Sequence, residues 1–153
     1  MRSLLLAATF AALAGCATKG ATMREQSTFD AALDRHLAAI ADRDLDAFKA
    51  SVTAGPTLYT IVQNGHAFTM PAETVALHDD WFKRDGWSWK GEVVHKIVGE
   101  DVGVAIIKYI YQDSPAAKPF STWLTFVFKV ENGEWRLVHD QNTMINEEAE
   151  GAE

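Results

Sequence analysis

Two hydrophobic periods divide the chain: apolar side chains recur at helical spacing up to about residue 83 and alternate from Trp87 onward. Phe29, Leu33, Leu37 and Ile40 stand at i, i+4, i+8 and i+11, with Ser27 or Thr28 ahead of them as N-cap, and predict a first helix. A shorter helix is predicted after Asp44, with Leu45, Phe48 and Val52 inward and Gly55-Pro56 ending it. Leu58 to Val62 reads as a strand, Asn64-Gly65 as a hairpin turn and His66 to Met70 as the returning strand. Pro71 suits the first position of a third helix, Glu73 complements its N-terminal dipole, and the segment runs to about Lys83. Its apolar residues are Val75, Leu77, Trp81 and Phe82.

The alternating part divides into four strands, 87–98, 102–112, 119–130 and 134–143, with turns at Gly99–Asp101, Asp113–Lys118 and Asn132-Gly133. Helices first and a meander afterwards predict an α+β domain: three N-terminal helices packed on one face of a curved, mostly antiparallel sheet, around an internal pocket. A two-residue loop at Asn132-Gly133 pairs Val130 with Trp135, Phe128 with Leu137, Phe126 with His139 and Leu124 with Gln141. Extended across the other turns, this register turns Trp89, His95, Tyr109, Tyr111, Thr122, Trp135, His139, Gln141 and Thr143 inward, among Val93, Ile107, Leu124 and Phe126. The opposite face receives Lys90, Glu92, Lys96, Lys108, Lys129, Glu134, Arg136 and Asp140. One β-bulge would turn part of this pattern over.

The inward set is an apolar surface with a few convergent polar groups, the composition of a small-molecule site. His139, Tyr109 and Gln141 are its expected centre. Trp89, His95, Tyr111, Thr122 and Thr143 extend the lining, and Trp135 closes the apolar end. A filled core, with the Tyr and Trp polar atoms simply finding partners, is the other reading. A histidine titrates near neutrality and could act as a base, but in this register no inward carboxylate orients His139. Asp79 and Asp80, on the third helix, are the acids nearest a pocket mouth. No metal site assembles: His95 and His139 lie three strand steps apart, roughly 14 Å at ~4.8 Å per step, whereas zinc ligands approach within ~2.1 Å of the ion. No cofactor is implied, for the chain has no phosphate-cradling glycine loop, Ser-His-Asp order or nucleophilic cysteine.

On the other face, Val94, Val104, Ile106, Ile110, Trp123, Val127 and Val138 alternate with the pocket set, ringed by lysines and Arg136. A helix-free sheet face should be polar if solvated. An apolar centre with a charged rim is the composition of an interface, and a homodimer on this face is expected.

Charge and cysteine usage then bound the setting. With 14 basic against 21 acidic side chains and a formal net charge of −7, without a basic cluster, the chain is not expected to bind nucleic acid. Arg2, the apolar stretch Leu4–Leu13 and small residues before Cys16 have the layout of an export signal, too short to span a bilayer. Leu13-Ala14-Gly15-Cys16 resembles the lipobox of bacterial lipoproteins, in which the cysteine thiol receives a diacylglycerol; cleavage after Ala14 is the alternative. The expected division is a leader 1–15, lipidated Cys16 and a tether 16–27, a folded domain 28–145, and an acidic, solvated tail 146–153. Ala17, where an aspartate would retain a lipoprotein in the inner membrane, implies the periplasmic face of the outer membrane in a two-membrane envelope.

Three helices, an early hairpin and a late meander ending in Trp135-Arg136-Leu137-Val138-His139-Asp140 resemble the nuclear transport factor 2-like superfamily, most closely its SnoaL-like branch. The phrase Ala41-Asp42-Arg43-Asp44-Leu45-Asp46-Ala47 also looks like that branch's helix-pair turn. The resemblance implies a cone whose sheet wraps a pocket closed by helices, often as a dimer. Members include polyketide cyclases, ketosteroid isomerase, dehydratases and proteins without catalysis, so fold leaves function open. The branch's terminal H-x-H pattern has Gln141 at its second histidine, which can hydrogen-bond but not transfer protons. The leading expectation is a lipid-anchored envelope protein with a non-catalytic binding or accessory domain. The alternative is an isomerase, cyclase or dehydratase type of enzyme using His139 and Tyr109 on a small hydrophobic substrate.

Overall fold

The computed structural model describes residues 28–146; the leader, Cys16, most of the tether and the acidic end from Glu147 lie outside the described residues. Three helices, α1 (Phe29–Ala41), α2 (Leu45–Ser51) and α3 (Pro71–Phe82), alternate with and precede six strands. These are β1 (Tyr59–Ile61), β2 (Ala67–Phe68), β3 (Ser88–Val98), β4 (Val102–Gln112), β5 (Phe120–Glu131) and β6 (Glu134–Met144). They form one sheet in the order β2-β1-β6-β5-β4-β3, antiparallel except where β1 runs parallel to β6.

The helix boundaries follow their caps. Thr28 accepts from the Ala31 N–H at the head of α1, and Asp44 accepts from Ala47 at the head of α2. The Glu73 carboxylate takes the Thr69 and Met70 N–H groups ahead of α3. The inward faces of the helices pack on a sheet core that includes Ala105, Ile107, Leu124, Phe126, Phe128 and Leu137. Phe29 joins the two layers, its ring edge-on to Phe128 at 5.7 Å and to Trp135 at 5.4 Å.

The final hairpin has the expected two-residue turn, with Asn132 and Gly133 both at positive φ (53° and 81°). The first hairpin differs. Thr60 pairs with Phe68 and Ile61 with Ala67, so its turn is the three residues Gln63-Asn64-Gly65, with Gly65 at φ 83°.

Two bulges correct the expected register. On β3, Val93 opposes Ile107 but His95 opposes Ile106, leaving Val94 as the extra residue. His95 therefore turns to the outer face, and Lys96 comes inward at the sheet's end, where it bonds Asp30 of α1 at 2.7 Å. On β6, Phe128 opposes Leu137 but Val127 opposes His139, so Val138 is extra. Beyond it every side chain changes face, as the two-residue period of a strand requires. His139, Gln141 and Thr143 now lie beside Val127, Thr125 and Trp123 on the outer face. Asp140 and Asn142, opposite Phe126 and Leu124, lie on the inner one. Before the bulges the rows stand as expected, with Val93–Ile107–Leu124 and Gly91–Tyr109–Thr122 in line.

At Gly103 the ring of Phe29 lies so close that an added Cβ would come within 2.5 Å of it. Gly103→Ala must therefore displace the ring that joins α1 to the sheet. We expect a loss of ~1–3 kcal/mol, the usual cost of overpacking, read as a lower urea midpoint at unchanged denaturant dependence.

Candidate functional site

Between α3, the first hairpin and the inner face of the sheet lies an open cavity of about 270 Å³. Six indole, phenol and phenyl rings line it: Trp81 from α3, Trp89 from β3, Tyr109 and Tyr111 from β4, and Phe120 and Phe126 from β5. The wall is built in layers. The Arg43 guanidinium, in the turn between α1 and α2, donates to the carbonyls of Arg84 and Trp87 (3.1 and 3.0 Å) and lies 4.1 Å from the centre of the Trp87 ring. Trp87 stacks on Trp81 at 4.5 Å, and its indole N–H bonds the Trp81 carbonyl. Trp89 lies flat along its own strand because Gly91, two residues on, has no Cβ; one there would be 2.4 Å from the indole.

Polar groups reach the cavity from β6, the first hairpin and α3. Asp140 is buried, 6% exposed, beside Thr60 of β1. Among the described residues one hydrogen bond reaches its carboxyl, from Asn142 Nδ2 to Oδ1 at 3.0 Å. The same Nδ2 donates to the Ile61 carbonyl at 3.1 Å, which fixes the amide's orientation and aims Asn142 Oδ1 at Tyr109. The Tyr109 hydroxyl donates to that oxygen at 2.9 Å and accepts from Gln63 Nε2. Burial pushes the Asp140 carboxyl up to about 7, partly countered by the Asn142 bond, and pushes Tyr109 up to about 12.

His78 presents the opposite case. Its Nδ1–H donates to the Thr74 carbonyl at 2.8 Å, so Nε2 keeps its lone pair; the ring stacks on Phe48 at 3.9 Å. Burial lowers it to about 4, leaving a neutral imidazole in the cavity wall. Arg84, Asp113 and Gln63 are the exposed members of the lining.

Of the residues expected at the site, Tyr109, Tyr111 and Trp89 line the cavity. His139, Gln141, Thr143 and His95 are on the other side of the sheet, carried there by the two bulges. Thr122 is buried beneath the wall, and Trp135 is packed on Phe29 away from the cavity. Asp140, Asn142, His78 and Gln63 were not anticipated. The spacing Thr74, His78, Phe82, all buried on α3 at i, i+4 and i+8, was the available signal for the histidine.

The buried groups pull stability in opposite directions with pH. His36 and His78 have folded values below the ordinary one, so their contribution is present above about 6.5 and lost as pH falls toward 4. Asp140 has a raised value, so its contribution is present below about 4 and lost as pH rises through 7. Asp140→Asn removes only the second dependence. The variant should match the wild type near pH 4 and exceed it at pH 8 by on the order of 4 kcal/mol, in urea titrations at each pH.

Among curated proteins no sequence matches this chain. Solved structures with the same fold are numerous. A Thiobacillus denitrificans protein assigned as a calcium/calmodulin-dependent protein kinase type II association domain is similar at 22% identity and TM-score 0.68, over 78% of this chain and 96% of that one. An uncharacterized Caulobacter vibrioides protein with a cystatin-like fold has 16% identity and TM-score 0.68, over 80% and 90%. An NTF-2 like protein of unknown function from Shewanella oneidensis has 16% and 0.61, over 73% and 93%. These likenesses establish the fold. The SnoaL-like domain model matches residues 30–147. With three helices packed on a six-stranded, mostly antiparallel sheet, the chain belongs to the SnoaL-like family and has the nuclear transport factor 2-like cone fold.

Proposed function

We propose that this domain binds a small, largely apolar molecule in the cavity between α3 and the sheet, without catalysis, and that Asp140 is the polar anchor for it. The buried Asp140 carboxyl in an open aromatic cavity carries this reading, because an isolated ionisable group is costly to bury unless something uses it. Commitment of the cavity's donors supports binding over enolate chemistry. An enzyme of the ketosteroid isomerase type needs donors aimed at a developing oxyanion. Here the Tyr109 and Tyr111 hydroxyl protons are held by Asn142 and Asp113, and the Asn142 amide by Ile61 and Asp140.

A second reading, an acid–base enzyme of the isomerase or dehydratase type, is favoured by one observation: Asp140 titrates near 7, where a general acid or base works well. In that reading Asp140 replaces His139 as the proton-transfer group. A thermal-shift screen of small apolar compounds on the wild type and on Asp140→Asn tests the proposal. Binders that raise the melting temperature of the wild type and fail with the variant are expected. A screen whose hits ignore Asp140, or are turned over, would reject non-catalytic binding through it.

We also propose that the chain is anchored in the bacterial envelope through lipidated Cys16, at the periplasmic face of the outer membrane where two membranes exist. The Leu13-Ala14-Gly15-Cys16 run supports this, and more than one acyl chain gives stable anchoring. Cys16→Ser should move the protein from the membrane to the soluble fraction; a wild type that incorporates no labelled palmitate contradicts it.

A homodimer on the outer sheet face completes the proposal. Val104, Ile106, Val127 and Val138 are half-buried there, while Ile110 and Trp123 stay 51% and 37% exposed without helices to cover them. Trp123→Glu should halve the mass measured by light scattering at high micromolar concentration while leaving circular dichroism intact. A wild type already monomeric under those conditions ends the argument.

A further inference from the structure

The chemistry left over in the cavity specifies more than an apolar ligand. Asn142 holds Oδ1 of Asp140, a residue of the cavity lining whose Oδ2 has no hydrogen bond among the described residues, and the Thr74 carbonyl fixes the His78 proton on Nδ1, leaving Nε2 as an acceptor. The two phenol protons of the lining point elsewhere: Tyr109 donates to Asn142 and Tyr111 to Asp113. Asp140 and His78 thus present acceptors to a ligand, one of them an acid that ionises. Around them stand the faces and edges of Trp81, Trp89, Tyr109, Tyr111 and two phenylalanines. Indole and phenol faces carry negative quadrupole potential and attract a desolvated cation.

From this arrangement we infer that the cavity takes an organic ammonium ion on a small aromatic or aliphatic body, its N–H groups donated to Asp140 and its charge framed by the rings. The inference rests on the proposed binding role and narrows it to one ligand class. It also accounts for a carboxyl buried without a counter-ion. The cationic side chain in the lining, Arg84, is at the exposed end, and no hydrogen bond joins it to Asp140 among the described residues. The ligand supplies the missing positive charge. A neutral alcohol satisfies the acceptors but not the charge, and a carboxylate ligand meets repulsion from Asp140 and Asp113.

Ammonium binding requires ionised Asp140, so affinity should rise with pH through about 7 and level off above it. The other groups facing the cavity do not produce that profile. His78 titrates near 4, Tyr109 near 12 and Tyr111 above its ordinary value, and the other charged side chains of the lining, Arg84 and Asp113, stand at its exposed end. Neither the first hairpin, represented by Thr60, Val62 and Gln63, nor Asn142 of β6 adds a charge.

The test is isothermal titration calorimetry of the full chain with three compounds of matched shape: 2-phenylethylamine, 2-phenylethanol and 3-phenylpropanoate. At pH 8 the amine should bind about tenfold or more tighter than the alcohol, and the carboxylate more weakly than either. Lowering the pH below 7 should weaken the amine by about tenfold per unit and leave the alcohol nearly unchanged. At pH 6.5, amine binding should release protons, seen as a dependence of the heat on buffer ionisation. Asp140→Asn should bring the amine to the alcohol's affinity at pH 8 and abolish its pH dependence. Trp89→Leu, which leaves the carboxyl in place, should weaken the amine more than the alcohol. The inference is overturned if the alcohol binds as tightly as the amine at pH 8, if amine affinity ignores pH or Asp140→Asn, or if the amine does not bind at millimolar concentration. Tight alcohol binding without amine preference would refute the ammonium ligand yet leave the binding role standing. Failure of the wider compound screen as well would remove both.

Discussion

One extra residue in the last strand governs the interior of this domain. Without the bulge at Val138, β6 would turn His139 and Gln141 inward and hold Asp140 against solvent. With it, Trp135 and Leu137 still serve the core at one end of the strand, while Asp140 and Asn142 enter the cavity at the other. Because side chains alternate strictly along a strand, Leu137 and Asp140, an odd number of residues apart, can both face inward only with a residue inserted between them. The parallel partner β1 then follows, setting Thr60 beside Asp140 and the Ile61 carbonyl where Asn142 can reach it.

The consequences are electrostatic. Asp140, His78 and His36 are all removed from water, and each is tolerated in a different way. His36 is fully buried; it gives its Nδ1 proton to Ser51 Oγ, whose own proton goes to the Phe48 carbonyl, and its Nε2 has no hydrogen-bond partner among the described residues. The ring is held at 4.8 Å from Phe126 and 5.2 Å from Phe48, and burial lowers it to about 3, so it behaves as a neutral core side chain. His78 is neutral for the same reason but borders the cavity. Asp140 is the one of the three whose ionisation falls near physiological pH, and it is also the one with a carboxyl oxygen open to a ligand.

Much of the fold was legible in the sequence because local chemistry and periodicity agree. Thr28, Asp44, Pro71 and Asn132-Gly133 mark boundaries by caps and turn conformations that few other residues satisfy. The rows Val93–Ile107–Leu124 and Gly91–Tyr109–Thr122 follow from alternation and the turn positions. The bulges were not legible. Adjacent apolar residues interrupt alternation at Val93-Val94 and Leu137-Val138, where bulges occur, but also at Ile97-Val98 and Phe126-Val127, which pair with consecutive residues of the neighbouring strand. Which doubled pair bulges is decided by what the sheet must cover on each face, and that is tertiary information. The site inherited the error: Tyr109, Tyr111 and Trp89 lie ahead of the bulges and were found, whereas Asp140 lies one residue beyond the Val138–His139 step and was read as outward.

The central claim is that Asp140 is an inward, desolvated carboxyl at the floor of an aromatic cavity. The most direct measurement is its own titration, followed through the side-chain carboxyl carbon by nuclear magnetic resonance, with Asp140→Asn to assign the signal. The account predicts a midpoint near 7. A midpoint near the ordinary value of about 4 would place the carboxyl in water and contradict the inward register of β6 on which the site depends.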